Sequence, residues 1–286
     1  MNNILELNGV NKNFSSFSVK NMSFALPQGF IMEFIGPNGA GKTTTIKMIL
    51  NMLRKDGGAI KIFEKDHILC EQEIKEKIGV VMDWPFYVDE WTLIDLEKSL
   101  MPFYARWESE KYKALLADFH LDRKKKIKEL SRGMKIKTML AAALSHEADL
   151  LILDEPTSGL DAVARSELME LLSGFIEDEN KGVLFSTHIT TDLEKIADYI
   201  TFINEGKVLY SGTKDDLLER YLIVKGGLGV LSAGQKKQII GYREHGVGFD
   251  GLIEKALWKS LPKTIITEPS NLDEIIVRFT KKGESA

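Results

Sequence analysis

From Ile4 to Val10, and again from Ser18 to Leu26, apolar and polar residues alternate, which predicts two half-buried antiparallel strands. The turn Pro27-Gln28-Gly29 then leads into the run Phe30 to Ile35, followed by a glycine-rich loop and the helix-like Thr45 to Leu50. Lys55-Asp56-Gly57-Gly58 reads as a turn, Ala59 to Phe63 as a short strand and Glu71 to Lys77 as a helix. Ile78 to Met82 is a buried strand that ends at Asp83-Trp84-Pro85, where the proline forces a loop. From Thr92 to His120 the period becomes helical. Leu93, Leu96, Leu100, Phe103 and Tyr104 mark one segment, and Tyr112, Leu115, Leu116 and Phe119 a second.

Further on, Leu150 to Leu153 and Val183 to Thr187 are uncharged runs of the kind buried on both faces of a parallel sheet. Thr201 to Ile203 and Val208 to Ser211 flank a turn and predict a hairpin, and Thr213 opens a short helix. Beyond Tyr221 the texture changes. Extended stretches at Leu222 to Val224, Val247 to Ile253 and Thr264 to Thr267, with helices at Ala233 to Ile240 and Ser270 to Phe279, predict a small α+β domain over 222–286. Ser270 and Asp273 read as a capping box for the last helix.

Composition narrows this little. The chain has 286 residues, 44% hydrophobic and 28% charged, as expected of a globular protein with a sizeable core. A formal charge of −4 argues against a nucleic-acid-coating protein, and the run Arg123 to Lys126 reads as solvated surface. The single cysteine, Cys70, forms no internal disulfide and fits a reducing setting. No apolar run approaches the roughly 18 residues of a membrane span, and Met1-Asn2-Asn3 does not resemble a signal peptide. A role at a membrane therefore calls for a partner that holds the chain there.

The chemistry concentrates in a few places. Gly36-Pro37-Asn38-Gly39-Ala40-Gly41-Lys42-Thr43-Thr44 fits Gly, four residues, Gly-Lys-Thr, between a predicted strand and a predicted helix. The glycines let successive amides turn inward around phosphate oxygens, and the helix points its positive end at the same anion. Lys42 adds a cation, and the Thr43 hydroxyl stands where a magnesium ligand belongs. Leu150 to Pro156 is an apolar strand ending in Asp154 and Glu155, so a buried sheet delivers two carboxylates to its carboxyl edge. In phosphate-loop enzymes the first such acid holds magnesium and the second orients or deprotonates the attacking water. Ser131 reads as a helix N-cap ahead of Ala141 to Leu144, and His188 ends the strand that begins at Val183. Phe14, read alone, is an ordinary core aromatic.

In their order these motifs resemble the ATP-binding cassette ATPases of ABC transporters, over Ile4 to about Tyr221. Gly36 to Thr44 corresponds to Walker A, Leu130 to Lys135 to the signature, Leu150 to Glu155 to Walker B, Ser158 to Asp161 to the D-loop and His188 to the switch histidine. The resemblance implies an α/β phosphate-loop NTPase cassette over 1–221. It has a mainly parallel core sheet, an antiparallel β subdomain and an inserted helical subdomain at about 90–150, with the α+β appendix following. It implies ATP and Mg²⁺ as cofactors. Gly36, Asn38, Gly39, Gly41, Lys42, Thr43 and Thr44 would bind the phosphates, Phe14 would stack on adenine, and Thr43 and Asp154 would hold the metal. Glu155 would act as general base, His188 would contact the γ-phosphate, and Lys42 would serve both binding and catalysis. Two chains or paired cassettes would meet head to tail, Ser131 and Gly133 of one capping the γ-phosphate held by Lys42 of the other, and Asp161 would be a further nucleotide-binding residue. A separate integral-membrane subunit would hold the chain on the cytoplasmic face of the cell membrane, and no nucleic-acid partner is expected. The single cassette, signature style and appendix resemble exporters of peptides or antimicrobials of the bacitracin and phenol-soluble-modulin type.

The chain departs from the family pattern in two places. Its signature usually reads Leu-Ser-Gly-Gly-Gln; here Arg132 and Met134 are substituted, while Ser131 and Gly133 remain. The glutamine that ends the Ile-Gly-Val-Val strand is Asp83, whose charge would interact at about 4 kcal/mol over 4 Å at an effective dielectric near 20. Asp83 is therefore expected to serve the metal, directly or through water. Leu231 to Gln235 mimics the signature, but without an acidic strand behind it reads as a plain helix cap. Two other classes stay open: a soluble ATPase of the superfamily acting in translation or DNA repair, and a nucleotide-gated module that does not hydrolyse. The first would normally bring a second cassette or a long coiled coil, and Glu155 with His188 argues against the second.

Overall fold

The structure is a computed structural model and describes residues 2–83, 87–188 and 196–281. The expected loop beyond Asp83 lies outside the described residues. The chain divides into two compact units between Ser211 and Gly212, ahead of the change of texture at Tyr221.

In the first unit, β1 (Asn3–Asn13), β2 (Ser18–Pro27), β4 (Gly57–Ile62) and β5 (Lys65–Asp66) form an antiparallel sheet in the order β2-β1-β4-β5. Breaks in register along β1 mark bulges, so its buried residues are not strictly alternate: Ile4 and Leu5 are both in the core. A second sheet contains β3 (Ile31–Ile35), β6 (Ile78–Val81), β7 (Leu150–Asp154), β8 (Gly182–Thr187), β9 (Tyr199–Asn204) and β10 (Lys207–Thr213), in the order β10-β9-β3-β8-β7-β6. The pairings from β9 to β6 through β3, β8 and β7 are parallel. Glu205 and Gly206, both at positive φ, turn β9 into β10.

The uncharged runs follow from burial on both faces. Met32, Phe34, Leu150, Ile152 and Leu184 pack with the antiparallel sheet and with α1 (Lys42–Ile49). Ile31, Leu151, Leu153, Val183 and Phe185 face the opposite side, with Ile136 and Leu140 of α5 (Arg132–Leu144) and Leu168 and Leu172 of α6 (Ala162–Phe175). The contact of α5 with β6 is close: a Cβ on Gly79 would lie 2.5 Å from Leu151 Cδ2 and 2.8 Å from Ala143 Cβ. Gly79→Ala is therefore expected to cost about 1–3 kcal/mol of stability by overpacking, read by urea denaturation.

After α2 (Glu71–Lys75) and β6, the chain inserts α3 (Leu93–Leu100) and α4 (Ser109–Asp118), then α5, around a core of Leu93, Leu96, Tyr112, Leu116 and Leu130. Thr92 and Asp95 close a capping box at the start of α3. The first helical segment stops at Leu100 instead of carrying Phe103 and Tyr104 on its apolar face. Pro102 lacks the N–H that an α-helix would need, a 3₁₀ turn spans Met101–Phe103, and Phe103 is 75% exposed. Lys126 and Lys128 pair with Glu90 at the surface, and Arg123 with Glu97.

The second unit holds a sheet in the order β12-β13-β11-β14, from β11 (Tyr221–Gly226), β12 (Ile240–His245), β13 (Gly248–Glu254) and β14 (Ile266–Pro269). Helices α7 (Lys214–Arg220), α8 (Ala233–Gln238) and α9 (Leu272–Lys281) accompany it. Ser232 and Gln235 cap α8 reciprocally, so the signature mimic is indeed a helix cap. The Ser270–Asp273 box does not form. Asn271 caps α9, its Oδ1 accepting from Glu274 N at 2.9 Å, while Ser270 Oγ donates to Tyr221 O at 2.9 Å.

Candidate functional site

The phosphate loop leaves the carboxyl end of β3 and enters α1. A Cβ on Gly36 would sit 2.6 Å from Ile203 O, so only glycine lets the loop pass this close to β9. Gly41, at φ 108°, caps α1 without a side chain and leaves the first amides of the helix to an anion. Lys42 is buried, and its Nζ donates to Gly36 O at 2.7 Å and Pro37 O at 3.3 Å. These bonds fold its side chain back over the loop, as phosphate capture requires.

The adjacent strand ends, β7 and β8, supply the acids and the histidine. Glu155 has φ 51°, a strained backbone for a non-glycine residue, and Ser186 holds its N–H. Its carboxylate bridges two groups: Oε1 lies 3.2 Å from Lys42 Nζ, and Oε2 is 2.7 Å from His188 Nδ1. Asp154 is buried behind it. Ser186 Oγ donates to Asp154 Oδ1 at 2.6 Å, and Oδ2 is buried without a hydrogen-bond partner. Burial raises the pKa of Asp154 against the opposing pull of the Ser186 and Thr43 hydroxyls.

A hard cation fits here, because an orphaned carboxylate oxygen beside a threonine hydroxyl is half of an oxygen ligand set. Among the described residues no group of three or more His, Cys, Asp or Glu could hold a metal alone, so phosphate and water oxygens would have to supply the rest. A raised carboxylate pKa means that the folded state loses stability as pH rises from the ordinary carboxylate range through the shifted value. Asp154→Asn should therefore raise the Tm of the nucleotide-free protein at pH 7, by an amount that shrinks as pH falls. The response of that Tm to magnesium with nucleotide should be lost, both read by differential scanning fluorimetry.

An open cleft of about 580 Å³ gathers Asn38, Gly39, Gly41, Lys42, Thr43, Thr44, Asp83, Glu155 and His188. Gly36 lies beneath the loop as an acceptor for Lys42. Ser131 caps α5, its Oγ accepting from Met134 N at 3.3 Å, and Asp161 caps α6, its Oδ1 accepting from Ala164 N at 2.9 Å. Neither they nor Gly133 line the cleft. Asp83 has a protein partner that its sequence context does not suggest: its carboxylate pairs with Arg132.

Phe14 is 44% exposed and outside the cleft lining, whereas Phe17, which sequence reasoning missed, lines it and packs on Gly41. The two rings stack at 6.5 Å with 26° between their planes. The spacing Phe14-x-x-Phe17 was the available signal. Arg132 and Ser158 also line the cleft, and Ser186 supports both acids.

A glycine loop between a parallel strand and a helix, with two acids on the next strands' edge, defines a phosphate-loop nucleotide-binding protein. Residues 19–158 match the family model described as ABC transporter. The chain is 31% identical over 224 residues to the bacitracin transport ATP-binding protein BcrA of Bacillus licheniformis, covering 77% of this chain and 73% of that one. With the Nod factor export ATP-binding protein I of Burkholderia orbicola it shares 32% over 224 residues, covering 75% and 72%. It also matches a solved ATP-binding subunit of an ABC transporter at 29% identity, with a TM-score of 0.69 over 75% of this chain and 91% of that one. The chain belongs to the ATP-binding subunits of ABC transporters.

Proposed function

We propose that this chain hydrolyses ATP to power export through a separate membrane subunit. The bridged Glu155 carboxylate carries the reading: it stands between Lys42 and His188 at the mouth of the phosphate loop, where a base must lie. The loop amides and Lys42 bind the β- and γ-phosphates, and Glu155 takes a proton from the attacking water. His188 Nδ1 fixes the Glu155 carboxylate, and the ring would contact the γ-phosphate. Thr43 and Asp154 would hold Mg²⁺, which neutralises phosphate charge when bound, and Asp83 is a further oxygen donor in the same cleft. Phe14, beside Phe17, offers an aromatic face to the base. Two copies, or paired cassettes, close head to tail on ATP, with Ser131, Gly133 and Asp161 approaching the partner's nucleotide. The purified chain should release phosphate from ATP only with magnesium; no release, alone or with its membrane subunit, would overturn the reading.

Export of peptide or antimicrobial-like substrates is supported by the likeness to the bacitracin and Nod factor proteins. No helix among the described residues is long and apolar enough to cross a membrane, so membrane attachment falls to the partner on the cytoplasmic face. Val88, Met101 and Phe103 expose apolar side chains on the inserted helical block and suit that contact. Phe103→Ser is expected to weaken co-purification with the membrane subunit about tenfold or more, as loss of an interface aromatic does, and to leave nucleotide affinity unchanged.

A further inference from the structure

Asp83 and Arg132, two positions where the chain departs from the motifs it resembles, meet in the folded protein. Arg132 Nη2 donates to Asp83 Oδ1, joining the first residue of α5 to the carboxyl end of β6. Both side chains line the nucleotide cleft. The Arg132 stem is also held. Gly159, at φ 75°, has no Cβ, and one placed there would lie 2.9 Å from Arg132 Cδ, so the turn after the acids is shaped to receive the arginine. The guanidinium is thus presented to Asp83 by its packing as well as by charge. The N-terminus of α5, which carries Ser131 and Gly133, is thereby tied to the rim of its own chain's cleft.

The charges of the cleft pair within the chain: Lys42 with Glu155, and Arg132 with Asp83. A triphosphate attracts Arg132 and repels Asp83, and the cation it brings attracts Asp83. The side chains of Arg132 and Asp83 are 47% and 55% exposed, so their mutual hold is weak enough for a ligand to displace. We propose that the Asp83–Arg132 pair is a latch within the chain, opened by a bound nucleoside triphosphate, with Arg132 as its positioning residue. Opening frees the start of α5 to move off its own cleft. The inference rests on the nucleotide-binding reading above.

A double-mutant cycle on nucleotide affinity tests it, with the magnesium complex of the β,γ-imido analogue of ATP as probe. Kd is measured for the wild type, Asp83→Asn, Arg132→Gln and the double variant. Each residue's own dealings with the nucleotide cancel in the cycle. If binding opens the latch, the product of the wild-type and double-variant Kd values exceeds the product of the two single-variant values by about threefold, the worth of a half-exposed ion pair. A ratio of one, or below one, means that the pair survives binding or is tightened by it, and overturns the latch. A wild-type chain that binds no analogue sinks the nucleotide reading, and the latch with it. Should Arg132→Gln fail to fold, a second cycle with Arg132→Met keeps the apolar stem and removes the charge, and a ratio of one there also overturns the latch.

Discussion

Glu155→Gln is expected to lower phosphate release from ATP about 10²- to 10⁴-fold, the contribution of a positioned general base, while nucleotide binding persists. The amide keeps the shape of the side chain and an oxygen toward Lys42, so the loop is not disturbed. What it lacks is the charge. The Glu155 carboxylate lies 3.2 Å from Lys42 Nζ, so it competes with phosphate for that cation. Removing the competitor should raise ATP affinity above that of the wild type. Coupled-enzyme turnover and fluorescent-nucleotide titration measure the two quantities separately. Turnover within threefold of the wild type would remove Glu155 from the role of base. His188→Ala should reduce turnover less steeply, because it releases the Glu155 carboxylate without removing it.

The elements that could be read from the chain are those whose burial is symmetrical or whose chemistry is contiguous. Leu150 to Leu153 and Val183 to Phe185 alternate between two cores, so no polar residue interrupts them and the strands declare themselves. The phosphate loop is legible because strand, glycines and helix follow one another without a gap. Features made by distant segments are different. Nothing near Asp83 indicates Arg132; they meet because β6 and α5 pack through Gly79. Phe17 enters the cleft only once the loop folds under it. Local competition hid others. Ser270 has the side chain for a cap, yet its hydroxyl is taken by Tyr221 O and Asn271 caps instead. Helical periodicity through Phe103 lost to Pro102. The order β10-β9-β3-β8-β7-β6, which sets the acids of β7 beside the loop after β3 with β8 between, is a property of tertiary pairing that spacing does not carry.

Lys42→Ala should weaken nucleotide binding about tenfold to a hundredfold, the worth of a charge-assisted hydrogen bond of about 1.5–3 kcal/mol. The side chain is only 6% exposed and already turned over the loop, so little conformational entropy is lost when phosphate replaces Glu155 as its partner. Lys42→Arg is not a mild substitute. The planar guanidinium needs room that the close contacts with Gly36 O and Pro37 O do not leave, and it should fail almost as completely. Because Glu155 and Lys42 pair in the cleft, their substitutions act on affinity with opposite signs. Lys42→Ala loses the phosphate's cation, and Glu155→Gln removes that cation's other claimant. In the double variant the gain from Glu155→Gln should vanish, since no cation remains to be released. Isothermal titration of the four proteins reads this directly, with circular dichroism confirming that each is folded. An affinity for Lys42→Ala within twofold of the wild type would place the phosphates elsewhere.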